Sequence, residues 1–200
     1  MPPIRGYIDE ITKQHVGATL IPKQTIRLQQ LVQMITTSER LRKLTEQVRT
    51  AADLSAAKQH LLPYFTPFGT CSQRRSDCFL ESSHAIVLDI DHLESEAEAR
   101  QLRDEVFRDV HLHPMLCFVS PSGKGVKILV PIQLHPVKDV KEQIAECLHW
   151  AMCYLEARYE RQVDTSGKDL VRACFLSYDP EAKYRLPEAP SHPSKAPLLK

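Results

Sequence analysis

Apolar residues recur along this chain in two different periods, and the change from one to the other divides it. In "TIRLQQLVQMI", Ile26, Leu28, Leu31, Val32 and Ile35 mark one face of an amphipathic helix. Ser38 is placed to cap a second helix, "ERLRKLTEQVR", and Asp53 a third, "LSAAKQHLL", which stops before Pro63. From about residue 84 the period shortens. "AIVLDIDHL" reads as a strand, and "SEAEARQLRDEVFRD" as a helix in which Ser95 and Glu98 have capping-box spacing. "MLCFVS" and "VKILVPI" flank the turn "PSGKG", a hairpin pattern. The helix "VKDVKEQIAECLHWAMCYLEARY" follows, with Val140, Ile144, Leu148, Ala151 and Leu155 on one stripe, and "LVRACFLSY" reads as a last strand.

The order β-α-β-β-α-β predicts an α+β fold with a ferredoxin-like (RRM-like) core. An antiparallel four-stranded sheet is expected, with helices on one face and the other face open. The predicted organisation is a helical region over 1–62 packing on the core, a βαββαβ domain over 63–185 and a proline-rich tail over 186–200.

Alternation along the strands gives the open face its chemistry. If Ile86, Leu88 and Ile90 face the helices, Asp89 and Asp91 face away together, about 7 Å apart along the strand. Val126, Ile128, Val130 and Ile132 send Lys127 to the same side, and Val171, Ala173 and Phe175 do so for Arg172. Two carboxylates and two cations thus converge. Each piece alone has a plain structural explanation: an acidic strand end, a tight glycine hairpin, a solvated loop. Glycine-flanked amides with Ser120, Ser122 and Lys124 can hold phosphate, but no P-loop is present, because the segment lacks the GK[ST] ending and leads into a strand. Arg74, Arg75, Arg40, Arg42 and Lys43 read as solvated, and His111 and His113 as unrelated to metal.

Composition narrows the picture little. The formal net charge is +1, so any attraction to nucleic acid must be local. The six cysteines form no Cys-x-x-Cys pair; Cys117, Cys147 and Cys174 sit in apolar patterns, and a zinc set of Cys71, Cys78, His84 and His92 follows no known spacing. No signal peptide and no membrane-length apolar run is read, so a cytoplasmic location is expected.

"LDIDHL", "SPSGKGVKILV" and "VDTSGKDLVRACFLSYDP", in that order, resemble the VirE N-terminal-like domain family, a divergent branch of the archaeo-eukaryotic primase (primase-polymerase) superfamily. The resemblance covers roughly residues 60 to 185. It implies that Asp89, Asp91 and Asp164 are catalytic metal ligands, with Asp169 a competitor of Asp164 for the third place. It implies a nucleotide-binding loop of Ser122, Gly123, Lys124 and Gly125, beside Ser120. Lys127 stands where the superfamily has a histidine that meets the nucleotide's phosphates and Arg172 matches its basic residue, so Lys124, Lys127 and Arg172 are implied to bind the nucleotide and neutralise its triphosphate. The implied activity is nucleotidyl transfer with two Mg²⁺ or Mn²⁺ ions about 3.5–4 Å apart, acting in DNA replication of a mobile element. A nucleoside triphosphate, single-stranded DNA and a helicase domain are the implied partners. Lysine neutralises phosphate as a point charge but does not replace imidazole in proton transfer. The alternative is therefore a catalytically reduced nucleotide- or nucleic-acid-binding module attached to a helicase or replication protein.

Overall fold

The computed structural model describes residues 5–8, 21–22, 24–164 and 169–186. The proline-rich tail beyond Leu186 and residues 165–168 of "VDTSGKD" lie outside them. Among the described residues no helix is long and apolar enough to cross a membrane.

The architecture is mixed α+β, and most helix boundaries fall where capping chemistry puts them. After strands β1 (Arg5–Ile8) and β2 (Gln24–Arg27) come α1 (Leu28–Thr37), α2 (Glu39–Thr50) and α3 (Leu54–Leu61). The Ser38 side chain accepts from the Leu41 amide and Asp53 accepts from the Ala56 amide, each supplying a first-turn donor with a partner. Ile26, expected in the first helix, belongs instead to β2, which pairs antiparallel with β1. The N-terminal third is therefore helices plus a strand pair. The pairing partner lies in residues 5–8, too far away in sequence for a local pattern to show.

Short strands β3 (Tyr64–Phe65), β4 (Gly69–Cys71) and β5 (Phe79–Ser82) lead into β6 (Ala85–Ile90), α4 (Glu96–Phe107), the hairpin β7 (Leu116–Val119) and β8 (Val126–Pro131), and α5 (Val140–Tyr159). Ser95 caps α4 through the Glu98 amide, while the Glu98 carboxylate reaches back to the amide of Glu94. In α5 the buried stripe is Ile144, Leu148, Ala151, Met152 and Leu155. Two further strands, β9 (Cys174–Phe175) and β10 (Lys183–Tyr184), close the chain.

Two four-stranded sheets carry the fold. The central one has the order β10-β7-β8-β6, with α4 and α5 against it; the second has the order β2-β1-β3-β9. The segment expected as the fourth central strand is mostly irregular. Its ordered part, Cys174–Phe175, pairs with Tyr64–Phe65 in the second sheet. Beside β6 stands a single bridge, Ile90 to Val163.

The expected open face is also closed. Every residue from Ala85 to Ile90 and from Val126 to Val130 is buried, which requires cover on both sides. Cys174 of β9 sits within electrostatic reach of Lys127 and Asp89, placing the second sheet against the aspartate-bearing side. Val87 and Leu129, directly paired across β6 and β8, share that side with Asp89 and Lys127. Two apolar positions there needed a covering layer, and near-continuous apolar strands are the usual mark of sheets buried on both faces. One apolar cluster runs through both sheets, α4, α5 and the N-terminal helices.

Candidate metal and phosphate site

The pairing register puts Asp89 opposite Lys127 on adjacent antiparallel strands. Directly opposed side chains share a face, and here they form an ion pair, Lys127 Nζ to Asp89 Oδ2. Burial pulls the ammonium towards neutrality, but the charges of Asp89 and Asp91 and the hydrogen bond to Asp89 outweigh it, so Lys127 stays cationic well above the ordinary lysine range. The same burial pushes the Cys174 thiol up to about 11, keeping it protonated and inert.

Asp164 arrives from outside the sheet. Its amide donates to the Asp89 carbonyl at 2.9 Å, continuing the bridge at Val163 and fixing its carboxylate beside β6. Arg172 lies just before β9 and reaches across, with Nη2 2.7 Å from Asp164 Oδ2 and 3.8 Å from Asp89 Oδ2. Asp91, one residue beyond β6, completes the group: one ligand atom from each of Asp89, Asp91 and Asp164 lies within 4.8 Å of the others. Burial, followed by the charge of Asp89, raises the Asp91 pKa above the ordinary aspartate range, against the opposing pull of Lys127, Lys58 and His92.

Asp89 Oδ1 is the anomaly. The side chain is 7 % exposed, yet this oxygen has no hydrogen-bond partner among the described residues. Buried carboxylate oxygens are costly when left alone. An unpaired lone-pair donor among three converging carboxylates suits a cation, and oxygen ligands of this kind suit hard ions such as Mg²⁺, Mn²⁺ or Ca²⁺. The three carboxylates could hold one metal ion.

The hairpin loop seats itself against this group. A Cβ on Gly125 would stand 2.5 Å from the Ile90 carbonyl oxygen, 2.6 Å from Asp91 Oδ1 and 2.9 Å from Ser120 Oγ, so only glycine allows the approach. Gly123 has φ +76°, the left-handed turn position. The Ser120 amide donates to Gly125 O, Gly123 N to Ser120 O, Lys124 N to Ser122 Oγ, and the Ser120 and Ser122 hydroxyls lie 2.9 Å apart. The amides of Gly123 and Lys124, expected to cradle phosphate, are thus used by the turn itself, while the Lys124 side chain is exposed. Beyond Asp91 and Asp164 opens a cleft of about 610 Å³, whose wall also carries His92, Glu98, Glu160 and Arg161. Arg161 is paired with Glu98 at 2.7 Å.

The structure therefore gathers Asp89, Asp91, Asp164, Lys127, Arg172 and the base of the 120–125 loop. Asp169 stands apart from the carboxylate group, held by the Ser76 hydroxyl and the Val171 amide. Arg74 lies over the Tyr64 ring and donates to Val171 O, and Arg75 pairs with Asp77, so neither is a free phosphate clamp. His111 and His113 lie in a turn region and not on a strand. Two participants escaped the sequence reading: Lys58 of α3, which acts on Asp91, and Arg49 of α2, which donates to the Pro121 carbonyl and pairs with Glu96 at 2.9 Å beside Gly123. Both come from helices whose charges read as ordinary solvation, and no local pattern distinguishes them.

Residues 56–184, well over half of the chain, match the family described as BT4734-like, N-terminal domain. The chain belongs to that family, and the match encloses Asp89, Asp91, Asp164 and the whole hairpin. No curated protein and no solved structure matches it.

Proposed function

We propose that this domain binds a nucleoside triphosphate through a divalent cation and acts as a primase- or polymerase-like nucleotidyltransferase in replication of a mobile element, in the cytoplasm. The observation that carries the reading is the orphaned Asp89 oxygen inside a three-carboxylate group. The resemblance of "LDIDHL", "SPSGKGVKILV" and "VDTSGKDLVRACFLSYDP" to the VirE N-terminal-like branch of the primase superfamily supports it. So does the element order: β6-α4-β7-β8-α5 is the order that a ferredoxin-like core would have, and Val163 bridges Ile90 where a fourth strand would pair.

Asp89, Asp91 and Asp164 would hold Mg²⁺ or Mn²⁺, and the span of their ligand atoms suits one ion. When bound, such an ion polarises a phosphoryl oxygen and steadies developing negative charge. Lys127 pairs with Asp89 and Arg172 with Asp164, which holds the carboxylates in place and makes the cations' first role the site and not the phosphate. Lys124, exposed at the loop tip, remains available for phosphate charge.

The second reading, a nucleotide- or nucleic-acid-binding module without catalysis that serves a helicase domain, is favoured by one observation. Lys127 is bonded to a carboxylate of the metal group and would compete there with the ion.

Calorimetry with Mn²⁺ and Mg²⁺, with and without a nucleoside triphosphate, tests both. Saturable metal-dependent nucleotide binding that vanishes in Asp89→Asn/Asp91→Asn is expected. Primer synthesis on a single-stranded template then separates enzyme from module. No heat at millimolar nucleotide with either ion overturns the first reading and leaves of the second only a module that docks nucleic acid.

A further inference from the structure

On the outer face of α5, away from the carboxylate group in sequence, two rings are stacked and a third meets them edge-on in advance of any ligand. Trp150 is 55 % exposed and lies parallel to Tyr154, with ring centroids 5.5 Å apart and planes 11° apart. His111, from the turn after α4, meets Tyr154 edge-on at 5.7 Å. The Tyr154 hydroxyl donates to Asp109 at 2.9 Å and the Tyr159 hydroxyl donates to the same oxygen at 2.8 Å. Asp109 is itself buried, and its other oxygen accepts from the His111 and Leu112 amides. The Tyr154 ring is therefore fixed from below, and Trp150 rests on a rigid partner.

Beside the rings runs a cleft of about 330 Å³, with Arg108 and Arg158 on its walls. Both are exposed, and neither makes an ion pair among the described residues. That distinguishes them from Arg42, Arg49, Arg75, Arg100, Arg103, Arg161 and Arg172, each matched to a carboxylate. Glu105 shares the wall; Asp109 below is consumed by its four hydrogen bonds. Trp150, Tyr154 and Arg158 recur every fourth residue, so they form one ridge about 12 Å long, enough for two or more bases at roughly 3.4 Å per stacked step.

An exposed stacked indole beside guanidiniums that lack a carboxylate partner, Arg158 lying over the Tyr159 ring at 5.3 Å, is the combination that binds single strands: rings take base faces and cations take phosphates, with little regard to sequence. We infer that the Trp150–Tyr154 ridge, with Arg108 and Arg158, is a binding site for single-stranded nucleic acid. It stands on its own observations and needs no metal, so it can hold if the nucleotidyltransferase reading fails.

Trp150 is the sole tryptophan, so its emission reports this site alone. The test titrates the full chain, in EDTA, with a twelve-nucleotide oligothymidylate and with the matching oligouridylate, reading tryptophan emission and the anisotropy of a labelled strand. Saturable quenching is expected with at least one strand, and comparison of the two tells DNA from RNA. Trp150→Ala should weaken binding by about tenfold and Trp150→Phe by less, as stacking on one base predicts. Arg108→Ala and Arg158→Ala should each lower the slope of log affinity against log salt by about 0.7. All three substituted positions are exposed, which protects the fold. Binding that Trp150→Ala leaves unchanged, no quenching by either strand, or a self-associated dimer abolished by Trp150→Ala in place of strand binding would each overturn the inference.

Discussion

Two clusters of buried charge touch the central sheet, and they are built on opposite rules. At one edge, Arg103 of α4 is 1 % exposed and pairs with the buried Asp179 at 2.8 Å and with Asp104 at 2.7 Å. Asp179 also accepts from the Val119 and Glu181 amides, and its own amide donates to Ile35 O in α1. Each Asp179 oxygen is used. At the other edge, three carboxylates meet Lys127 and Arg172, like charges sit within 4.8 Å, and one buried oxygen has no partner among the described residues. A satisfied network ties α1, α4 and the hairpin strand together and has nothing left to offer a ligand. An unsatisfied one keeps electrostatic free energy that only a further cation releases. The difference teaches that burial of charge alone does not mark a site; the leftover valence does.

The comparison can be broken by mutation, starting where the largest effect is expected. Asp179→Ala leaves Arg103 buried without its main partner and the Val119 amide unpaired, and should cost about 3–5 kcal/mol in urea unfolding. A loss under about 1 kcal/mol would mean the satisfied cluster is not structural. Next, Gly125→Ala drives a methyl against the Ile90 carbonyl and Asp91, which should cost about 1–3 kcal/mol and displace Asp91, so Mn²⁺ binding falls with stability. Gly123→Ala is the control. Its new Cβ meets nothing closer than 3.4 Å, so only the left-handed conformation is penalised, by about 1–2 kcal/mol, with Mn²⁺ binding retained.

The smallest effects have the most telling signs. Asp91→Asn removes one like charge from the unsatisfied cluster and should raise metal-free stability at neutral pH by less than about 1 kcal/mol while abolishing Mn²⁺ affinity. A destabilised Asp91→Asn protein would place Asp91 among the structural charges instead. Asp109 gives the opposite sign. Burial pushes its carboxyl up, but the Leu112 and His111 amides and the Tyr159 and Tyr154 hydroxyls outweigh this and hold it below the ordinary range. Its contribution is therefore present above the unfolded pKa and lost as pH falls through the folded one. Asp109→Asn should flatten the acid side of the stability profile, as read by thermal unfolding at a series of pH values.

The chain by itself determined what depends on near neighbours. Ser38, Asp53 and Ser95 set helix starts because a capping oxygen needs only an amide three residues on. The hairpin at 120–125 followed from its glycines, and strand alternation placed Lys127 with Asp89, because a tight turn fixes register and register fixes faces. Asp89 was readable with Lys127 for that reason, and the resemblance added Asp164; Arg172 reaches the group from irregular chain before β9, so the alternation expected of its segment did not place it. Only the tertiary structure chose Asp164 over Asp169, through a backbone bond from Asp164 to the Asp89 carbonyl and a hydroxyl from Ser76 to Asp169. Only it closed the supposedly open face, with a sheet assembled from residues 5–8, 24–27, 64–65 and 174–175. Those pieces are two to four residues each, too short to carry a period, and they become strands because long-range pairing supplies the hydrogen bonds that their own neighbourhoods cannot.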